Sequence, residues 1–211
     1  MGKCVIFGAA DFDAPAAPIG PDDLLIAADG GLVHLEKLGL TPQIILGDFD
    51  SLGYVPTGAA VFPVEKDDTD TMLALRCGLD RGQREFHIYG GMDGRRLDHT
   101  MANFQSLAFL RRHGANGFLI GQDFIATVIQ NESVTFPRAD AGLLSVFCLG
   151  SDARGVTLQG LQYLLDKHTL TCDFPLGVSN HFIGECGKVS VENGTLLLIW
   201  ERKIGFPAVT E

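Results

Sequence analysis

Ile44-Ile45-Leu46-Gly47-Asp48-Phe49-Asp50-Ser51 is a short apolar run that stops at a glycine and two carboxylates. Its neighbours repeat the arrangement. Residues 24–28 form an apolar run that ends at Asp29-Gly30-Gly31, and residues 86–89 form one that ends at Gly90-Gly91. Residues 4–9, 60–64 and 118–120 read as further short strands. The segments between them have helical character. Residues 32–38 show helical spacing with Gly39 as a stop, Asp68 is a good N-cap for a helix over 69–79, and 98–112 reads as a long helix with Gly114 past its end. Continuous apolar strands alternating with amphipathic helices predict a parallel sheet covered on both faces.

The pattern changes after about residue 124. Residues 125–129, 133–136, 143–149, 155–158, 168–172, 187–192 and 195–201 are strand candidates separated by turn residues, with no long helical pattern among them. Glu192-Asn193-Gly194-Thr195 carries the Asn-Gly signature of a tight hairpin. The expected architecture is therefore an α/β domain over residues 1–124, followed by a smaller all-β domain over 125–211.

Composition narrows the function classes. The chain has 211 residues, 46 % apolar and 20 % charged, enough to bury a core and too apolar for disorder. No apolar run is long enough to cross a bilayer, and the N-terminus reads as a first strand rather than a signal peptide. The net charge is −10 and no basic patch of size occurs, which argues against nucleic-acid binding. The five cysteines form no C-x-x-C pair, and several lie in apolar stretches. They fit reduced thiols in a cytoplasmic protein better than a disulfide framework or a zinc site.

The acids carry the chemistry. In an open parallel sheet, ligands bind outside the carboxyl ends of the strands. Asp29, Asp48 and Asp50 follow strands, so they collect on that edge. Asp48 and Asp50, two residues apart in extended chain, would point the same way. Two carboxylates about 4 Å apart repel by roughly 4 kcal/mol at an effective dielectric near 20. A hard divalent cation reverses that sign. The plain alternative is an Asx-type turn after a strand. Lys66-Asp67-Asp68-Thr69-Asp70 reads as a capped helix start, but it also places Asp70 near the strand edge and Lys66 near any anionic substrate. Gly90-Gly91-Met92-Asp93-Gly94-Arg95-Arg96-Leu97-Asp98-His99 lies between a strand and a helix. Its glycines and arginines suit an anion site, and His99 is as consistent with a structural role as with a catalytic one. The chain has no P-loop and no dinucleotide-binding glycine fingerprint.

Taken in order, Asp29-Gly30-Gly31, Gly47 to Ser51, Lys66 to Asp70, Gly94-Arg95-Arg96-Leu97-Asp98-His99 with Ala102-Asn103, Gly160-Leu161-Gln162-Tyr163 and Gly177-Val178-Ser179-Asn180 resemble the thiamine pyrophosphokinase family. The resemblance runs over nearly the whole chain. It implies an α/β catalytic domain followed by a β-sandwich that binds thiamine. It also implies transfer of the pyrophosphoryl group of ATP to the thiamine hydroxyl, giving thiamine diphosphate and AMP with Mg²⁺. By the same resemblance, Asp48, Asp50 and Asp70 would hold the metal. Asp29, Gly30, Lys66, Thr69, Arg96 and His99 would contact the nucleotide, with Asp98 near the nucleophile. Ser179 and Asn180 would contact thiamine, with Tyr163 and Phe182 as aromatic candidates, and a homodimer with inter-subunit sites is implied. Two residues depart from the family pattern: Arg95 where a second glycine is frequent, and Gln43 where Asp is common after the proline.

Two other readings stay open at the level of residues. One is a different Mg²⁺-dependent D-x-D phosphotransferase or phosphatase. The other is a module that binds nucleotide or thiamine without turnover.

Overall fold

The computed structural model describes residues 2–50, 52–63, 65 and 67–210, which divide into two compact units, Met1–Gln122 and Asp123–Glu211. In the first unit the elements run β1 (Cys4–Phe7), β2 (Leu24–Ala28), α1 (Leu32–Lys37), β3 (Ile44–Gly47), β4 (Ala60–Val61), α2 (Asp70–Asp80), β5 (Glu85–Tyr89), α3 (Leu97–Arg112) and β6 (Asn116–Ile120). The strand order is β6-β5-β1-β2-β3-β4, and every pairing is parallel. The central strand shows why these runs are apolar throughout: Cys4, Val5, Ile6 and Phe7 are all 0 % exposed. A strand covered on both faces has no polar side. Helices α1 and α2 pack on β1 and β2, and α3 packs on β6.

The chain steps outward from β1 to β4, then crosses back through α2 to place β5 on the other side of β1. The strand order thus reverses between β1 and β5. At such a reversal the loops after the two strands diverge and leave a crevice at their carboxyl ends.

Local details differ from expectation. The fourth strand covers only Ala60–Val61; the expected 60–64 run includes Val64, which lies outside the described residues. The N-cap of α2 is Thr69, whose hydroxyl accepts the Met72 N–H at 3.2 Å, while Asp68 pairs with Arg76 at 3.1 Å. Gln43 has a structural use: its side chain accepts the Leu25 N–H at 2.7 Å, tying the start of β3 to β2.

The second unit is all β: β7 (Phe124–Gln130), β8 (Ser133–Ala139), β9 (Leu143–Cys148), β10 (Ala153–Gln159), β11 (Leu165–Leu170), β12 (Asn180–His181), β13 (Glu185–Ser190), β14 (Thr195–Glu201) and β15 (Ala208–Thr210). Strands β12-β9-β14-β7 make one antiparallel layer and β11-β10-β13-β8-β15 the other. Phe136 of β8 meets Trp200 of β14 edge-on at 5.1 Å and Phe182 at 5.6 Å. These contacts join the inner faces of the two layers, so the unit is a sandwich. The expected α/β fold with a following β-sandwich is the observed one.

The Asn193-Gly194 turn corrects one reading. It does not close a hairpin, because β13 pairs with β10 and β8 while β14 pairs with β7 and β9. The turn carries the chain from one layer to the other. Strands β12 and β15, two and three residues long, had too little periodicity to be read from the sequence.

Candidate active site

The carboxyl ends of β1, β2, β3 and β5 open on one cleft of about 560 Å³. Its floor is Gly8, Ala9 and Ala10 after β1; its walls carry Asp29, Asp48 and Asp50 on one side and Gly90, Gly91, Gly94, Arg95 and Arg96 on the other. It lies at the point where the strand order reverses.

One carboxylate oxygen from each of Asp29, Asp48 and Asp50 lies within 4.8 Å of the others. The route to that convergence is not the extended chain expected. Phe49 takes φ +60°, a left-handed conformation disfavoured for a bulky residue, and its ring is buried at 2 % exposure. Burial of the ring anchors a sharp turn between the two acids. The Asp50 N–H donates to Asp48 Oδ1 at 3.3 Å, so the Asx-type turn is present as well. Turn and carboxylate cluster are one structure. Asp29 also has positive φ, +50°. Gly47, at φ +149°, lies directly against it: a Cβ at Gly47 would come within 3.0 Å of the Asp29 Cα and N. Only glycine lets β3 end that close to the Asp29 turn.

Asp70, in the first turn of α2, lines the same cleft, as do Asp68, Thr69, Arg96 and His99. Gly30 sits in the turn after β2 but does not line the cleft. Lys66 and Ser51 lie outside the described residues. The first three acids supply hard oxygen donors in the number and type that suit Mg²⁺, with solvent and substrate oxygens completing the shell.

Across the cleft, residues 90–96 are held at three points. Asn103, 5 % exposed, donates from Nδ2 to the Gly91 carbonyl at 2.7 Å. The Thr100 hydroxyl donates to the Met92 carbonyl at 3.0 Å, and the Asp93 carboxylate accepts the Gln122 N–H at 2.6 Å. The sequence motifs assign Thr100 and Asp93 no role and Asn103 none beyond the family resemblance; the glycine pair before them is the available signal. Arg96 makes a two-pronged contact with Asp98, Nε to Oδ1 at 3.1 Å and Nη2 to Oδ2 at 2.5 Å. The Arg96 hydrogen bonds hold the Asp98 carboxyl at about 2, well below its ordinary value. Both side chains remain exposed, so the guanidinium is oriented and still open to a ligand.

In the second unit the expected substrate residues separate. Asn180 is 3 % exposed and its amide makes three hydrogen bonds: Oδ1 accepts the Tyr163 and His181 N–H groups at 2.9 Å, and Nδ2 donates to the Tyr163 carbonyl at 2.6 Å. It is a latch between two loops. Phe182, 2 % exposed and packed on Phe136, is a core ring, which corrects its candidacy as an aromatic face for substrate. Tyr163 is 60 % exposed, and Ser179 is exposed with φ +59°. Both stay available.

Comparison with known proteins agrees with this geometry. The family model described as "Thiamin pyrophosphokinase, catalytic domain" matches residues 19–119, and that described as "Thiamin pyrophosphokinase, vitamin B1 binding domain" matches 132–196. The chain is 29 % identical over 192 residues to the thiamine pyrophosphokinase of Bacillus subtilis (strain 168), covering 83 % of this chain and 86 % of that one. Among solved structures, the thiamine pyrophosphokinase of Bacillus subtilis superposes with a TM-score of 0.81 at 26 % identity, covering 94 % of this chain and 99 % of that one. The family protein of Enterococcus faecalis gives 0.79 at 28 %, covering 95 % and 99 %. With successive stretches of the chain matched by the two domains of a single family, in the order that family has them, the protein belongs to the thiamin pyrophosphokinase family.

Proposed function

We propose that the protein is a Mg²⁺-dependent thiamine diphosphokinase, which moves the pyrophosphoryl group of ATP to the hydroxyl of thiamine and releases AMP. The observation that carries this reading is the meeting of Asp29, Asp48 and Asp50 on one side of a cleft whose other side presents Arg96 on an anchored glycine loop. A polyphosphate fits between a cation site and a guanidinium, and transfers of this kind depend mainly on positioning and charge neutralisation.

In this reading Asp29, Asp48 and Asp50 hold the cation, and Asp70 faces the same space from the start of α2. When bound, the cation neutralises polyphosphate charge and polarises the phosphorus under attack. Arg96 donates to phosphate oxygens in a direction set by Asp98. A carboxylate held near 2 is a poor proton acceptor, so Asp98 serves to aim Arg96 rather than to take the hydroxyl proton. Thr69 and His99 line the nucleotide side, with Gly30 and Lys66 assigned there by resemblance. Ser179 and Tyr163, both exposed, are the thiamine-side residues; an aromatic face suits a cation with two rings.

We further propose a homodimer in which the β unit of one copy completes the cleft of the other. Exposed Tyr163, Leu164, Phe174, Leu176 and Val178 in the second unit give such a contact apolar surface to cover. No described helix is long and apolar enough to cross a membrane.

The test is direct. Protein, ATP, Mg²⁺ and thiamine are incubated and the products resolved by mass spectrometry. AMP with thiamine diphosphate is expected. ADP with thiamine monophosphate would mean single phosphoryl transfer, and absence of any product would overturn the reading.

A further inference from the structure

The second unit holds a pair of thiols that the proposed reaction does not use. Cys148 ends β9 and is half-buried; Cys172 follows β11 by two residues and is exposed. Both line one narrow cleft of about 110 Å³, together with Leu170, Thr171, Phe174 and Gly177. The Cys148 Sγ lies 3.2 Å from the Leu170 carbonyl oxygen. The chain between Cys172 and Ser179 is fixed at both ends, to the turn before β10 and to β9. At one end the Cys172 N–H donates to Asp152 Oδ1 at 2.9 Å. At the other, the Gly177 carbonyl accepts the Val146 N–H at 2.9 Å and the Ser179 N–H donates to Ser145 Oγ at 3.1 Å. Both thiols therefore face one small cleft, close enough for the Cys172 side chain to interact with the Cys148 thiol.

We propose that Cys148 and Cys172 form a dithiol modification site that closes into an intramolecular disulfide by exchange with a small soluble disulfide of the glutathione class. Exposed Cys172 is the attacking sulfur. Its thiolate displaces one thiolate from the reagent, which takes up a proton, and leaves a mixed disulfide on Cys172. Cys148, once deprotonated, attacks the Cys172 Sγ and expels the second thiol. Two protein thiols and one reagent disulfide thus become one protein disulfide and two reagent thiols. Burial pushes the Cys148 thiol above its usual value, and nearby Cys172 and Asp152 push it further, which fits the slower, resolving part. The other close pair lacks an open member: Cys4 is 0 % exposed with its thiol pushed up to about 12, and Cys77 accepts a hydrogen bond from Arg81 at 2.9 Å. The new bond would tie the segment leading into Ser179 to β9 covalently.

The native full-length protein is incubated with oxidised glutathione, its remaining thiols are alkylated, and its peptides are mapped by mass spectrometry. The expected product is a Cys148–Cys172 cross-linked peptide, lighter by two hydrogens and reversed by dithiothreitol. In Cys148→Ser the reaction should stop at a stable glutathione adduct on Cys172; should that variant fail to fold, the wild-type map decides alone. In Cys172→Ser, Cys148 should remain alkylatable with no cross-link. The proposal is overturned if wild-type Cys172 accumulates a glutathione adduct while Cys148 stays free. It is equally overturned if the cross-link joins other cysteines or separate chains, or if all five thiols remain alkylatable.

Discussion

Replacing Asp48 by Asn should make the metal-free protein more stable and the enzyme inactive. The amide keeps an oxygen at Oδ1, so the acceptor for the Asp50 N–H is preserved and the turn stays formed. What disappears is one of three negative charges whose oxygens lie within 4.8 Å of each other. At 4.8 Å a pair of unit charges repels by about 0.9 kcal/mol in bulk water and about 3.5 kcal/mol at an effective dielectric of 20. Asp50 is exposed and its pairs sit toward the lower figure; Asp29 and Asp48 are half-buried and sit between the two. Removing the two repulsions that involve Asp48 should stabilise the apo protein by about 1–3 kcal/mol. For a chain of this size that is a rise in Tm of roughly 2–4 °C per kcal/mol. Thermal unfolding in EDTA and again in Mg²⁺ is the assay. Wild type should gain stability from Mg²⁺ and the variant should not, while AMP release falls by roughly 10²-fold or more. A variant less stable than wild type in EDTA, or one that keeps its response to Mg²⁺, would refute the idea that these acids form a cation site.

Other outcomes follow from the same geometry. Arg96→Ala should leave the melting temperature nearly unchanged, since the Arg96–Asp98 pair is exposed, while lowering kcat/KM by roughly 10²-fold; a large loss of stability would assign Arg96 a structural role instead. The Asp98 carboxyl is depressed in the folded state, so its ion pair is fully present above the ordinary carboxylate range and is lost only as pH falls through about 2. Carboxyl-carbon NMR should therefore show Asp98 ionised at pH 4, and its midpoint should return toward the ordinary value in Arg96→Ala. Asn180→Ala strips a buried amide of three hydrogen bonds and should cost about 2–4 kcal/mol, whereas Tyr163→Ala, at an exposed ring, should stay within about 0.5 kcal/mol and act on the KM for thiamine. Denaturant unfolding and steady-state kinetics separate the two.

The elements were legible where their signal is local. Period, run length and punctuation announced the parallel strands and the helices, because a strand buried on both faces must be apolar throughout. The Asn193-Gly194 turn shows where local reading fails: the dipeptide specifies a tight reversal but not which layer receives the next strand. That choice depends on the pairing of β14 with β7 and β9, far away in sequence.

The same division runs through the candidate site. By itself the sequence determined the residue types and the edge: acids after apolar strands, a glycine-arginine loop before a helix, and an order of motifs that resembles one enzyme family. Tertiary structure decided which of those groups meet. Asp29 joins Asp48 and Asp50 because Gly47 admits the close approach of two turns and buried Phe49 holds a left-handed conformation. Asn180 and Phe182, which adjoin Ser179 in sequence, are drawn inward by a backbone latch and by the sandwich core. A motif records which side chains are present, and neither the close approach of distant turns nor the burial of a neighbouring ring is a local property of the chain.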